Sequence, residues 1–597
     1  MNFIKKLFDL TVLCFLAIST MIFSIMLYIR WIWPDADFEQ ILMTIKDLTP
    51  RVIVANTTVK DYVLAFLFFI VIFPLCYIFL NIWQRLCTAI LFSFILLYSS
   101  GYIHYVIYSN SVSTLYEDHY TSLDKIKVEF PEKKRNLILI YLESFENNFA
   151  EAKYYEKNLI PNLHKIQQTG EFSANHRSIT GSDYSIAAIV ASQCGIPLRF
   201  IQERDIWASK YFLPQASCFA EVLKKEGYQT TIIKAADITF TNADVFAFTH
   251  GYNEAMGVDE ILSTIPKEEH ASHIGTFEGV KDKTLLQFAK KKLSEFDKDK
   301  PFMLTLFSLD THTPGYFYDD TCSHEFNDLR DVFMCSDKTI SDFLFWLKES
   351  PYWENTTVVI LGDHILPSRI KTIGRPKRGI YNAFLNLPEG LKIDSNKEFT
   401  TYDIAPTLLE SMGIKLTPSH LGLGRSLFSN EKTLVSTLGF SNFKVLLSKK
   451  SEIYNNFTKP LGKRSDKFTP YALGTHLNSE VLVNYSDSYD DFLDSTYFDS
   501  FSFKLEDIKS DAYKVDLKFI SISSNRIYKL DIFANGEKIY SFSNNGKHTP
   551  PYIISFDIPK KLVKGGNVKL KLKSNNNTVT AVQMGINPLD FVITEKK

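Results

Sequence analysis

Apolar positions fall along this chain in three rhythms, and each predicts a different kind of element. Near the N-terminus they run almost without interruption: Leu10–Ile29, Tyr62–Trp83 and Leu86–Ile103 carry no charge, and the last continues through His104 to Tyr108. Each is close to the ~20 residues that cross ~30 Å of hydrocarbon as a helix, which predicts spans at about 10–29, 62–83 and 86–108. A cleaved signal peptide would account for the first run alone, and that run is too long for an h-region and lacks a small-residue cleavage site. The soluble alternative is three buried core helices. From Arg135 to Phe428 short β-rich apolar runs alternate with helical stretches across turn residues, the pattern of an α/β fold with a mostly parallel sheet. Toward the C-terminus the period falls to two, in Tyr513–Ile522 and Val568–Lys573, and Asn535-Gly536 between Ile532-Phe533 and Ile539-Tyr540 is a hairpin signal. The expected organisation is a membrane anchor at 1–110, a juxtamembrane linker at 111–134, an α/β unit at 135–430, a connecting segment at 431–493 and a small β-sandwich-like domain at 494–597.

Charge orients the anchor. Lys5 and Lys6 precede the first run and Arg85 lies in the short turn between the second and third, so these belong on the cytoplasmic side. Three crossings then leave everything after about Asn110 outside, with Trp31, Trp33 and Pro34 at the outer interface. Over the whole chain 66 Lys+Arg balance 67 Asp+Glu, which gives no electrostatic case for nucleic acid. A hydrophobic content of 45% excludes a largely disordered protein. Cys14, Cys76 and Cys87 lie in or beside the spans, leaving Cys194, Cys218, Cys322 and Cys335 outside. An even number suits an oxidising compartment, and the short-loop pairs Cys194–Cys218 and Cys322–Cys335 are the economical connectivity; buried free thiols are the alternative.

Chemistry enters at the ends of three apolar runs. Asn136–Leu142 ends at Glu143, Phe302–Leu309 at Asp310-Thr311-His312, and Thr356–Leu361 at Gly362-Asp363-His364. Ligands of open α/β sheets bind beyond the carboxyl ends of the strands. One such ending is commonplace because Asp and Gly make turns, but three together point to a site. Glu143, Asp363 and His364 supply two carboxylates and an imidazole, a set for one divalent cation. Oxygen-rich ligation favours Mn²⁺, with Mg²⁺ or Zn²⁺ as alternatives. Such a cation activates a hydroxyl. The candidates are in Ser178–Ala188, where Ser185 opens the apolar run Ile186–Ala191; a helix N-terminus there suits a phosphate, although serine is also an ordinary cap.

Several motifs carry a family resemblance: Leu142-Glu-Ser-Phe145, Pro161-Asn-Leu163, Tyr184–Leu198 with its Ser-Gln-Cys-Gly-Ile-Pro block, Asp244-Val-Phe, His250-Gly-Tyr252, Asp310-Thr-His312, Gly362-Asp-His364 and Leu421–Leu427. Over about residues 135–430 the chain resembles membrane-anchored phosphoglycerol transferases of the periplasmic-glucan-modifying type, relatives of lipoteichoic acid synthases within the alkaline phosphatase/sulfatase superfamily. The resemblance implies metal ligands at Glu143, Ser185, Asp363 and His364, with Ser185 as nucleophile and His312 on the substrate phosphate. The family commonly has threonine at the nucleophile position, which keeps Thr180 as a rival; Asp310, Thr180 and Asn242 are further substrate-contacting candidates. No Cys/Ser-x-Pro-x-Arg context for formylglycine is found. The implied reaction takes phosphoglycerol from phosphatidylglycerol through a covalent Ser185 ester, releases diacylglycerol and passes the group to an envelope polysaccharide or glucan, at the outer side of a bacterial inner membrane. A phosphoethanolamine transferase acting on lipid A or a glycan is the nearest alternative, and an inactive membrane-tethered glycan-binding protein the more distant one.

Overall fold

The computed structural model of the chain describes residues 2–32, 38, 59–199, 212–313, 315–316, 322, 324–367, 370–459, 479–484, 500–505, 511–520, 528–544, 552–563, 565, 567–574 and 587–596. Trp33 and Pro34 of the expected interfacial cluster, and Ser521 and Ile522 of an expected strand, lie outside the described residues.

Among the described residues the chain opens with the apolar helices α1 (Asn2–Ile32), α2 (Val59–Phe79) and α3 (Ile82–Ser99). Two of them hold stretches long and apolar enough to cross a membrane, Lys6–Leu27 with mean hydropathy 2.4 and Ile82–Ser99 with 1.4. The second apolar run is interrupted at Leu80-Asn81, because Asn81 and Gln84 exchange side-chain-to-backbone hydrogen bonds of 3.0 Å and so cap a new helix. Phe8 lies against Trp83 and Phe23 stacks on Phe92, so α1 and α3 run in the same direction.

The central unit is a six-stranded sheet between two apolar clusters. Its strands are β1 (Asn136–Leu142), β2 (Gln229–Lys234), β3 (Glu254–Met256), β4 (Phe302–Phe307), β5 (Thr356–Gly362) and β6 (Asn382–Leu385). They lie in the order β3-β2-β4-β1-β5-β6, parallel except for β6 at one edge. Burial on both faces is why these strands read as continuous apolar runs rather than alternating ones. One cluster packs helix α4 (Ser185–Cys194) against Tyr141, Phe307 and Leu361, and the other packs α5 (Asp282–Glu295) and α6 (Leu329–Glu349) on the opposite face.

The flanking segments add to this core. Within 111–134, Leu115 and Tyr116 are buried and Lys127–Glu129 pairs with Lys415–Thr417. Within 431–459, three short helices bury Leu434, Phe443, Tyr454 and Phe457 in the same cluster as α4. The C-terminal part forms two antiparallel sheets from β7 (Ser479–Asn484), β8 (Ser500–Leu505), β9 (Ala512–Ile520), β10 (Tyr528–Ala534), β11 (Glu537–Asn544), β12 (Tyr552–Pro559), β13 (Asn567–Ser574) and β14 (Asn587–Lys596). Their orders are β7-β8-β13-β10-β11 and β12-β9-β14. The β10–β11 turn is Asn535-Gly536 with φ of 46° and 91°, the left-handed pair that a two-residue hairpin requires. Cys194 is bonded to Cys218 and Cys322 to Cys335, while Cys14, Cys76 and Cys87 are free.

Candidate active site

Adjacent parallel strands bring their carboxyl ends to one edge, and register does the rest. Leu142 of β1 pairs with Gly362 of β5, so the residues that follow them, Glu143 and Asp363-His364, meet. Gly362 is required by this approach, since a Cβ there would lie 2.2 Å from the Phe145 carbonyl oxygen. Ser144 takes a positive φ of 59°, a conformation costly for a residue with a side chain, and two bonds repay it: its N–H donates to Asp363 Oδ1 at 2.7 Å and its hydroxyl to Glu143 Oε1 at 2.7 Å. From β4, Ser308 Oγ accepts from the Glu143 N–H at 3.0 Å and the Thr311 hydroxyl donates to the Glu143 carbonyl at 2.6 Å.

Glu143, Asp363 and His364 are all buried, with one ligand atom from each within 4.8 Å of the others. His364 Nδ1 donates to the Ile365 carbonyl at 2.9 Å, which leaves Nε2 facing the carboxylates, 3.2 Å from Asp363 Oδ2 and 3.7 Å from Glu143 Oε1. Burial and the Glu143 charge push the Asp363 carboxyl up to about 7. Burial also opposes ionisation of Glu143 and His364, but it is outweighed: the charges of His364 and His312 hold Glu143 below the usual carboxylate range, and Asp363 and Glu143 raise His364. Asp363 Oδ2 is buried without a hydrogen bond. Two crowded carboxylates, one of them with an unsatisfied buried oxygen, and an imidazole nitrogen are the donor set that a divalent cation satisfies.

Ser185 is the first residue of α4, whose cap is the extended Tyr184, and its hydroxyl donates to Glu143 Oε2 at 3.2 Å. Thr180 lies in the preceding turn; its hydroxyl is buried with no hydrogen bond, so it lacks the link to Glu143 that Ser185 has. His312 follows β4, donates through Nδ1 to the Thr313 carbonyl at 3.1 Å and packs on Phe277 with ring centroids 4.9 Å apart. Asp310 stands outside the cluster: its Oδ2 accepts from the Asp282 N–H at 3.0 Å, while Asp282 accepts from the N–H groups of Leu309 and Asp310 at 2.7 and 3.3 Å. Asn242, at φ 53°, heads the short helix Ala243–Thr249.

Other motif residues are architectural. Asn162 and Leu163 donate their backbone N–H groups to Asp337 of α6 at 3.1 and 2.7 Å. Tyr252 hydrogen-bonds Gln193 at 3.1 Å and Thr305 at 3.0 Å. Gly195 and Gly422 let two loops touch, with the Leu423 N–H donating to the Gly195 carbonyl at 2.7 Å. Cys194, Cys218 and His250 also cluster, but the two cysteines are bonded to each other. Lys234, which ends β2 as Glu143 follows β1, and Asp282 are among the buried residues of charged type that no sequence motif singles out. The strand-end position was the available signal for Lys234.

Residues 135–414 match the family described as Sulfatase. Phosphoglycerol transferase I of Salmonella newport is 29% identical over 377 residues, covering 60% of this chain and 48% of that protein. Phosphoglycerol transferase I of Escherichia coli is 30% identical over 316 residues, covering 50% of this chain and 40% of that protein. The chain thus spans less than half the length of these relatives. An alkaline phosphatase superfamily protein of Vibrio parahaemolyticus aligns with a TM-score of 0.40 and 23% identity, covering 51% of this chain and 71% of that one.

Proposed function

We propose, taking residues 135–414 as a sulfatase-family domain, that the chain transfers phosphoglycerol from phosphatidylglycerol to a cell-envelope glycan through a covalent ester on Ser185, releasing diacylglycerol. The observation that carries this reading is the Ser185 hydroxyl, 3.2 Å from Glu143 Oε2 at the opening of α4. The similarity to phosphoglycerol transferases supports the identity of the transferred group.

Glu143, Asp363, His364 and the Ser185 oxygen would hold one divalent cation, Mn²⁺ favoured over Mg²⁺ and Zn²⁺, which lowers the pKa of a hydroxyl and offsets charge on phosphorus oxygens. The chain's own residues do the rest. Glu143 orients Ser185 by accepting its hydrogen bond, and the free N–H groups of the first turn of α4 receive the phosphodiester oxygens. Ser185 passes its hydroxyl proton to Glu143 Oε2, its hydrogen-bond acceptor, and Oγ bonds to phosphorus as the diacylglycerol oxygen departs with a proton, for which His312 is the donor. An acceptor hydroxyl then bonds to phosphorus, His312 taking its proton, and the Ser185 oxygen leaves and recovers its proton from Glu143. The parallel run of α1 and α3 supports a bilayer anchor: if both cross, the chain between them returns through α2, and with Lys5, Lys6 and Arg85 on the cytoplasmic side Asn110 onward lies on the outer side with the lipid donor.

Rapid quenching of the full chain with head-group-labelled phosphatidylglycerol and no acceptor is expected to leave phosphoglycerol on the peptide containing Ser185, and Ser185→Ala to lose both adduct and diacylglycerol release. An adduct on Thr180, or full transfer by Ser185→Ala, overturns the nucleophile.

A further inference from the structure

Lys234 ends β2 and has no part in the chemistry above. Parallel register sets Lys234 beside Phe307 of β4 and Phe307 beside Tyr141 of β1, so the three side chains leave the sheet on one face. On that face Tyr141 is hydrogen-bonded to Ser192 of α4 at 2.6 Å. Lys234 therefore stands at the carboxyl edge of the sheet and on the side of the helix that begins with Ser185. It is 4% exposed, and among the described residues its ammonium has no hydrogen bond or ion pair, only the Phe307 ring at 5.9 Å. Four carboxylates act on it from a distance, Asp237, Asp244, Glu143 and Asp363.

A buried ammonium without a contact partner is costly. Burial lowers its pKa to about 8, which leaves it charged at neutral pH. Of the carboxylates around it, Asp244 is itself pushed up to about 7 by burial, and the charges of Glu143 and Asp363 are those that one divalent cation cancels. Asp237, the fourth, has its Oδ1 engaged by the Thr239 N–H and hydroxyl at 2.8 Å and acts on Lys234 only from a distance, so the ammonium is left at the carboxyl edge of the sheet without a contact partner, where an anionic oxygen would supply one.

We infer that Lys234 is a substrate-contacting residue whose ammonium binds an anionic oxygen of the donor's phosphodiester, beside the Glu143–Asp363–His364 cluster. Its lipid identity rests on the transferase reading; the phosphate site itself does not. The test uses the full chain in detergent, Mn²⁺-loaded and carrying Ser185→Ala to prevent turnover, titrated with glycerol phosphate. Adding Lys234→Met is expected to weaken binding tenfold or more while Mn²⁺ content stays constant, and Lys234→Arg to keep most of the affinity. Equal affinity in Lys234→Met, or loss of Mn²⁺ along with affinity, overturns the inference; if Lys234→Met does not fold, Lys234→Gln is read against the same two outcomes. Parallel turnover of labelled phosphatidylglycerol and phosphatidylethanolamine by the Ser185 protein separates the two readings. Lys234-dependent release of ethanolamine phosphate alone retains Lys234 and overturns the glycerol head group.

Discussion

His364 and His312 follow different strands and face different partners, and that separation is measurable. His364 Nε2 lies 3.2 Å from Asp363 Oδ2 inside the cluster, whereas His312 is bonded to its neighbour's carbonyl and packed on Phe277. In metal-free protein Asp363, raised to about 7, binds its proton more tightly folded than unfolded. It therefore contributes stability below the ordinary carboxylate pKa, and that contribution is lost as pH rises through about 7. A cation takes the proton's place. Thermal melts with and without Mn²⁺ are expected to show a larger gain at pH 7.5 than at pH 5, about 2.7 kcal/mol at a hundredfold excess over Kd. His312→Ala should keep this gain while losing most transfer, and His364→Ala should lose both; a His312→Ala protein that no longer responds to Mn²⁺ would reverse the assignment. Glu143, Asp363, His364 and Ser185 were legible because polar residues ending apolar runs are conspicuous. Lys234 was not, since a terminal lysine on a strand ordinarily reaches solvent and only the elements packed around it decide otherwise.

α4 is apolar on every side, and every residue from Ile186 to Cys194 is buried. A helix of ten residues has little stability alone, so its place is set by what grips it. Tyr141 holds Ser192, Tyr252 holds Gln193, and the Cys194–Cys218 bond ties its last residue to the start of the helix at Phe219. Past the end, Gly195 has φ of 66° and a Cβ there would meet the Leu421 carbonyl oxygen at 2.3 Å. Gly195→Ala is thus both strained and crowded, and is expected to cost roughly 2–4 kcal/mol and to shift Ser185 from Glu143. Chemical unfolding with parallel adduct formation checks this; an unchanged midpoint would mean that the loops separate freely. The start of this helix was readable from Ser185 and the apolar run behind it. Its dependence on Leu421–Leu423 was not, because a contact across more than two hundred residues leaves no local period.

At the scale of the molecule, the unit that carries the candidate site extends beyond the stretch with α/β rhythm. Residues 431–459 read as a connector because their helices, at five to eight residues, are too short to display a 3.6-residue period. Yet the Tyr454 hydroxyl donates to the Pro197 carbonyl at 2.8 Å and accepts from the Arg199 N–H at 2.9 Å, while Arg199 donates to the carbonyls of Ser448 and Lys449. These bonds hold the segment just beyond α4 and Gly195. Beside these residues, Lys450 is hydrogen-bonded to Ser111 and Ser113, which follow the N-terminal helices in sequence. The eight strands of the two C-terminal sheets come later in sequence, from Ser479 onward, and contribute no residue to the Glu143–Asp363–His364 cluster. A chain ending after Lys459 is therefore expected to retain Mn²⁺ binding and the Ser185 adduct. One ending after Phe428 removes Tyr454, Ser448 and Lys449 and with them three hydrogen bonds of Arg199, and should lose both and melt at lower temperature. Metal content and quenched adduct on the two truncations decide the matter. If the longer truncation also loses its metal, the C-terminal sheets are part of the catalytic unit's stability rather than an addition to it.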